Sequence, residues 1–260
     1  VRGKSSVVLL ALAVAALAPS LGVAQYTPQW QVGDWWVTKT WHKSASGEWV
    51  WDRVRYDIVG VEKVGERDCF VLETRHQGTS GRLSSHTIVH YVRIDDRLVV
   101  RQVMTYTYKD KSRADTLDRP LGMFGPFRRG EARLPRFPLQ PANDTDTVFR
   151  LKQRDDCVAL LREIPGVADS AMVRRLLADG DSDGERAVRP TGVVYQVREE
   201  MGGNLEPGPL PGEKLITQSL QFWCDGQPWR LYEELVGYHG QDLKRFVVER
   251  TWLVASGHKG

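Results

Sequence analysis

Cysteine is scarce and forms no pattern. Cys69, Cys157 and Cys224 are the three in 260 residues, at wide and unlike intervals, so neither a zinc-finger spacing nor a Cys-x-x-Cys redox pair is available. In an oxidising compartment they allow one disulfide and leave one thiol over. Histidine offers no metal site either. His86 and His90 have a helical ligand spacing, but HTIVHYVRI alternates like a strand, in which four residues span roughly 13 Å. His42, His76, His239 and His258 are scattered, so no metal and no cofactor is expected. A G-x-S-x-G nucleophile elbow and a glycine-rich phosphate loop are also missing; Gly78-Thr79-Ser80-Gly81 reads as a turn between strands. Charge of one sign is lacking too. Lys and Arg number 36 against 33 Asp and Glu, for a formal net charge of +3, which is not the footprint of a nucleic-acid binder.

Long apolar runs are confined to the beginning. VRGKSSVVLLALAVAALAPSLGVAQ has Arg2 and Lys4, twelve apolar residues from Val7 to Ala18, and small residues up to Ala24. That is the order of a secretory signal, and the run is shorter than the roughly 20 residues that cross a bilayer. Residues 1–24 are therefore expected to be removed, leaving no transmembrane segment, and Val1 fits a bacterial alternative start codon. The expected destination is the periplasm or the extracellular space.

What remains, 25–260, reads as one β-rich domain. Runs rich in Val, Ile, Thr, Tyr and Trp alternate with turn residues, the pattern of antiparallel sheet. Strands are expected near 34–41, 49–59, 69–76, 86–95, 98–108, 147–152, 192–199, 215–224, 229–235 and 246–254. Turns at Ser46-Gly47, Val64 to Asp68, Asp95-Asp96-Arg97 and Asp225 to Pro228 make the first half a meander. Two stretches break the rhythm. Residues 109–146 carry Pro120, Pro126, Pro135, Pro138 and Pro141, so they form a lid packed by Met123, Phe124, Phe127 and Phe137 or a strap across the sheet. Residues 155–185 read as a helical insertion. SAMVRRLLADG repeats Met172, Val173, Leu176 and Leu177 at helical spacing with Ser170 as cap.

Acidic residues raise two further possibilities. Asp179-Gly-Asp181-Ser-Asp183-Gly184 matches half a calcium loop, but the closing position is Pro190 where a bidentate glutamate belongs. A solvated acidic turn is the expectation. The pairs Asp95-Asp96, Glu199-Glu200 and Glu233-Glu234 also read as solvated surface, and adjacent strand residues point to opposite faces and cannot work as an acid/base couple. No catalytic residue is identified and no enzyme is expected.

Aromatic residues are what the chain has in excess. WQVGDWWVTKTW, 30–41, holds four tryptophans, yet Trp36 falls on one side of its strand while Trp35 and Trp41 fall on the other. On 49–59, Val50, Val54, Tyr56 and Ile58 oppose Trp49, Trp51, Arg53 and Arg55. Neither face is uniformly polar, so both need cover, and the economical arrangement is a curved antiparallel sheet, a half-barrel, with one or two covering helices.

The opening W-x-V-G-D-W-W, then YDIVGVEKVGERDCFVLETR (56–75) and YVRIDDRLVVRQV (91–103), resembles periplasmic proteins related to the lipoprotein-carrier family. That resemblance, over residues 30–103, implies an unclosed β-barrel that holds acyl chains or another apolar ligand. The leading expectation is non-covalent binding of a hydrophobic or amphipathic small molecule or lipid. Trp36, Met104, Tyr106, Trp223 and Trp252 are the candidate ligand-binding residues, because each lies on a strand rather than in a turn. The runner-up is an envelope protein-interaction module with no small-molecule pocket and a partner the sequence does not name; a secreted hydrolase comes third. N-terminal sequencing of exported protein should begin at Gln25, and a sequence starting within residues 1–24 would refute the signal assignment.

Overall fold

The computed structural model describes residues 26–43, 47–77, 83–108, 111–118, 134–135, 137–139, 147–154, 157–181, 184–203, 215–239 and 244–260. The first six strands are β1 (Asp34–Lys43), β2 (Trp49–Val64), β3 (Arg67–Gln77), β4 (Leu83–Arg93), β5 (Val99–Tyr108) and β6 (Lys111–Leu117). The other six are β7 (Thr147–Arg154), β8 (Cys157–Val167), β9 (Val194–Gly203), β10 (Leu215–Cys224), β11 (Tyr232–His239) and β12 (Lys244–His258). One helix, α1 (Ser170–Ala178), lies between β8 and β9.

All twelve strands belong to one antiparallel sheet in the order β6-β5-β4-β3-β2-β1-β12-β11-β10-β9-β8-β7. Two meanders are thus joined where β1 pairs with β12, Asp34 opposite His258 through His42 opposite Glu249. The sheet stays open between β6 and β7. Short hairpins make each meander: Gly65-Glu66 alone separates β2 from β3, and Gly65 has φ +63°, which a residue without a Cβ adopts freely.

Ten strands stand where the sequence pattern puts them. β6 is additional: it occupies the start of the segment 109–146 expected to be a lid or strap and ends before Pro120. β8 is a correction, since Cys157–Val167 is a strand and the helical insertion expected at 155–185 shrinks to α1. Val158-Ala159-Leu160-Leu161 is a short apolar run that periodicity cannot assign, and pairing with β7 on one side and β9 on the other makes it a strand. Pro165 lies near the end of β8, opposite Val197 on β9 and past Glu163, where the described pairing with β7 begins. The N-cap of α1 is Asp169, whose carboxylate accepts from Met172 N at 2.7 Å, one residue before the expected Ser170.

Registers assign the faces. Trp36 opposes Tyr56, which opposes Thr74, and Tyr195 opposes Trp223, so these share one face. Lys39 opposes Trp252, which opposes Tyr232, which opposes Phe222, on the other. The alternation expected for 49–59 is observed, with Val54, Tyr56 and Ile58 buried together. On β5 a bulge breaks it. Tyr91 pairs with Arg101 but Val92 with Val99, so Val100 is the extra residue and Val99 turns into the core.

The Trp36 face is covered by the chain before β1, the loop after β10 and the end of the proline-rich segment. Trp30 Nε1 donates to Pro228 O at 2.6 Å, and Tyr26 bridges Leu139 by backbone hydrogen bonds of 2.9 and 2.7 Å. Leu134, Phe137 and Leu139 are buried, so this end is a strap across the sheet; Met123, Phe124 and Phe127 lie outside the described residues. Beneath it Trp229 stacks on Trp36, Tyr56 and Trp30 at centroid distances of 5.0, 5.1 and 6.2 Å, and meets Trp223 edge-on at 5.7 Å. Each such pair contributes about 0.5–1.5 kcal/mol beyond its buried area. The other face carries α1, whose Val173 and Leu177 are buried one turn apart.

The C-terminal tail is tied to both ends of the first hairpin. Lys259 N donates to Gly33 O at 2.9 Å, and Lys259 Nζ sits 2.7 Å from Asp57 Oδ1. Burial opposes ionisation of Asp57, but hydrogen bonds from Arg55 at 2.8 Å and from Lys259 outweigh it and hold the carboxyl below its ordinary value. A depressed folded pKa contributes stability above the ordinary carboxylate pKa of about 3.9 and loses it as pH falls through the folded value. Asp57→Asn should therefore lower the melting temperature at pH 6, with the gap to wild type closing progressively below pH 4. A gap independent of pH would show that the ion pair is not its source.

Candidate functional site

The end of β8, the first turn of α1 and the segment before β9 enclose a groove of about 550 Å³. Its position follows from pairing. Val167 stands opposite Tyr195 and Ala168 N donates to Val194 O at 2.9 Å, which brings the chain entering α1 alongside the chain entering β9. The Asp169 cap then starts the helix at once and turns Ser170, Val173 and Arg174 toward the same space. Val167, Val193, Val194 and Pro190 supply apolar wall, and Arg174 and Arg189 are the charged residues in the lining. Val167 is 56% and Val193 50% exposed, so the wall faces water. The volume is within the range of small-molecule sites. No nucleophile–base pair lies in this lining.

α1 is held over the sheet by one tryptophan. Trp252 Nε1 donates to Leu176 O at 2.8 Å, satisfying a carbonyl of the last turn. Gly180 follows directly, and a Cβ there would overlap the Trp252 indole.

A second, polar cleft of about 500 Å³ opens where β1 begins and β12 ends, with Asp34, Asp225, Gln227, Ser256 and His258 among its lining residues. His258 Nδ1 lies 2.9 Å from Asp34 Oδ1, and Asp34 Oδ2 accepts from Gln31 N at 2.7 Å. Ser256 shares the strand face of His258, two residues earlier, but its hydroxyl donates to Gln227 Oε1 at 3.3 Å. Ser, His and Asp are thus neighbours without forming a proton relay, which requires the serine on the imidazole.

The five residues expected to hold a ligand are divided among three places. Trp36 and Trp223 are fully buried on one face and share Trp229 as neighbour. Trp252 is buried on the opposite face against Tyr232 and Trp51 at 5.5 and 5.6 Å. Met104 and Tyr106 lie near the β6 edge, the Tyr106 hydroxyl on the Met104 sulfur, with Tyr106 39% exposed. No single pocket collects them. The groove residues were missed because the sequence shows only VADSAMVRR and RPTGVV, two apolar–arginine stretches far apart, and the β8–β9 pairing that joins them runs through the segment read as helix.

Three of the acidic residues expected on solvated surface are inside. Glu199, Glu233 and Glu234 are 4%, 4% and 8% exposed. The pair at 233–234 does divide between the faces. Glu233 meets Arg230 at 2.5 Å and accepts from Ser219 and Gln221 at 3.4 and 3.3 Å, and Gln221 in turn accepts from Trp223 Nε1 at 3.1 Å. Glu234 meets Arg250 at 2.8 Å and accepts from Tyr232 Oη at 3.3 Å. Burial also pushes the Tyr56 hydroxyl up to about 12. In the half calcium motif, Asp181 accepts from Ala187 N at 3.0 Å and pairs with Arg189, while Asp183 lies outside the described residues. Cys69 and Cys224 are free thiols and buried.

No protein-family profile and no curated protein matches the chain. Two solved structures resemble it. One is a candidate lipoprotein from Parabacteroides distasonis, with a TM-score of 0.39 and 9% identity over 88% of this chain and 97% of that one. The other is a candidate exported protein with YmcC-like fold from Bacteroides fragilis, with a TM-score of 0.39 and 11% identity over 90% of this chain and 99% of that one. Likeness at this level assigns no role to any residue.

Breaking a buried ion pair by removing one partner leaves the other charge uncompensated and costs about 3–5 kcal/mol. Glu233→Gln should therefore lower the unfolding free energy in urea by about that much, and the double variant Arg230→Met, Glu233→Met should recover most of it. A single variant within about 1 kcal/mol of wild type would show that Arg230 does not depend on Glu233.

Proposed function

We propose that this is an exported, non-catalytic envelope protein that binds an amphipathic small molecule in the groove between α1 and β9. The observation that carries the reading is the groove itself: an apolar wall of valines left facing water, at a volume suited to a small molecule, with cationic groups in the same lining. Exposed apolar surface of this kind marks binding sites. The leader at 1–24 supports export, and among the described residues no helix is long and apolar enough to cross a membrane. The aromatic residues of the core have a different task. Trp252 anchors α1, and the Trp36 and Trp223 stack joins the covering segments to the sheet.

Each methylene transferred from water into such a groove contributes about 0.8 kcal/mol before the cost of ordering the chain is subtracted. N-phenyl-1-naphthylamine, an uncharged dye that brightens in apolar surroundings, should bind and be displaced by decanol. Val193→Asp places a charge on the exposed wall and should weaken both by about tenfold or more with the melting temperature unchanged. Binding of dye and decanol at wild-type affinity in Val193→Asp would exclude the groove, and no binding to wild type would favour a protein partner on the same valines.

A further inference from the structure

We propose that the amphiphile held in this groove is a single-chain molecule with an oxyanion head, and that Arg174 is the residue that selects it. The inference rests on the groove being the binding site and adds the chemistry of the head group. The lining contains two cations, Arg174 and Arg189, and no carboxylate. Asp169 and Asp181 already have partners. The Asp169 carboxylate caps α1 through Met172 N, and Asp181 accepts from Ala187 N and pairs with Arg189. Arg189 meets Asp181 through Nη2, and Arg174, exposed on α1, has no ion-pair partner among the described residues.

This distribution of charge is selective. A cationic head would be brought against the Arg174 guanidinium and repelled, Arg189 being offset by Asp181. A neutral head would leave Arg174 with water. A phosphate or carboxylate accepts from the planar fork of a guanidinium through two parallel hydrogen bonds, the strongest class of polar contact open to an exposed arginine. Arg174 directly follows Val173, which is buried in the groove lining. The head can therefore remain hydrated on the arginine side while the chain lies on the valine wall, the division of surface an amphiphile requires. Ser170, in the first turn of α1, adds a hydroxyl to the polar side.

Displacement of N-phenyl-1-naphthylamine by decyl phosphate, decanol and decyltrimethylammonium tests the assignment, with inorganic phosphate alone as the chainless control. Wild-type protein should bind decyl phosphate about tenfold or more tighter than decanol, the scale of one charge-assisted contact, and decyltrimethylammonium more weakly than decanol. Arg174→Gln should bring decyl phosphate to the level of decanol, while Arg186→Gln, an exposed arginine outside the groove, should keep the preference. Inorganic phosphate at the same concentration should displace nothing; displacement by it would assign a free-anion site in place of an amphiphile site. Equal affinity for the phosphate and the alcohol, or a preference that survives Arg174→Gln, would overturn the head-group assignment and leave the groove standing. Failure of all three decyl compounds to displace the dye would remove the groove reading itself.

Discussion

Pairing of the first strand with the last is the constraint on which the molecule depends. β1 and β12 are neighbours only because the chain returns after β6 to the far edge and works back through β7 to β11. Without that seam the protein would be two separate meanders, each with an apolar face open to water. With it, Trp36 on β1 and the Trp223–Trp229 region beyond β12 come onto one face and stack. The tail past β12 then reaches back to Gly33 and Asp57, so the terminal strands are locked by main-chain bonds and by charge.

The same seam creates the support for the groove. Trp252 lies on β12, opposite Lys39 on β1 and Tyr232 on β11, and its indole holds the last turn of α1 while the Asp169 carboxylate holds the first. A nine-residue helix is too short to persist alone in water. Fixed at both ends, it stands over the sheet and presents Val173 and Arg174 beside β9. Val173 and the guanidinium of the proposed site are thus positioned by a hydrogen bond from a residue that is not itself in the groove lining.

Charged residues inside the sheet show a second constraint. Arg250–Glu234 on one face is a pair set by the register of β11 on β12, and Arg230–Glu233 on the other is a local pair at the start of β11. Burial of either partner alone would be costly, whereas together with Ser219 and Gln221 the charges find hydrogen bonds. A one-residue slip of β11 would take Glu234 off Arg250 on β12 and Glu233 off Gln221 on β10, so these contacts oppose misregister as well as satisfying one another.

By itself the sequence determined the class of fold, because a period of two with turn residues between runs has few physical realisations. It located ten of the strands, the helix core at Val173 and Leu177, the opposed faces of 49–59 and the open antiparallel sheet. It put His86 and His90 on one strand, since the alternation that marks a strand is a local property. Tertiary structure decided everything that depends on which strands are neighbours. β8 is a strand because β7 and β9 flank it, Glu234 is inside beside Arg250 and Glu233 beside Arg230 and Gln221, and Trp36 and Trp252 face opposite sides of one sheet and not a common pocket. The groove belongs to the same category: its valines and arginines come from stretches about twenty residues apart, and only the β8–β9 pairing sets one beside the other.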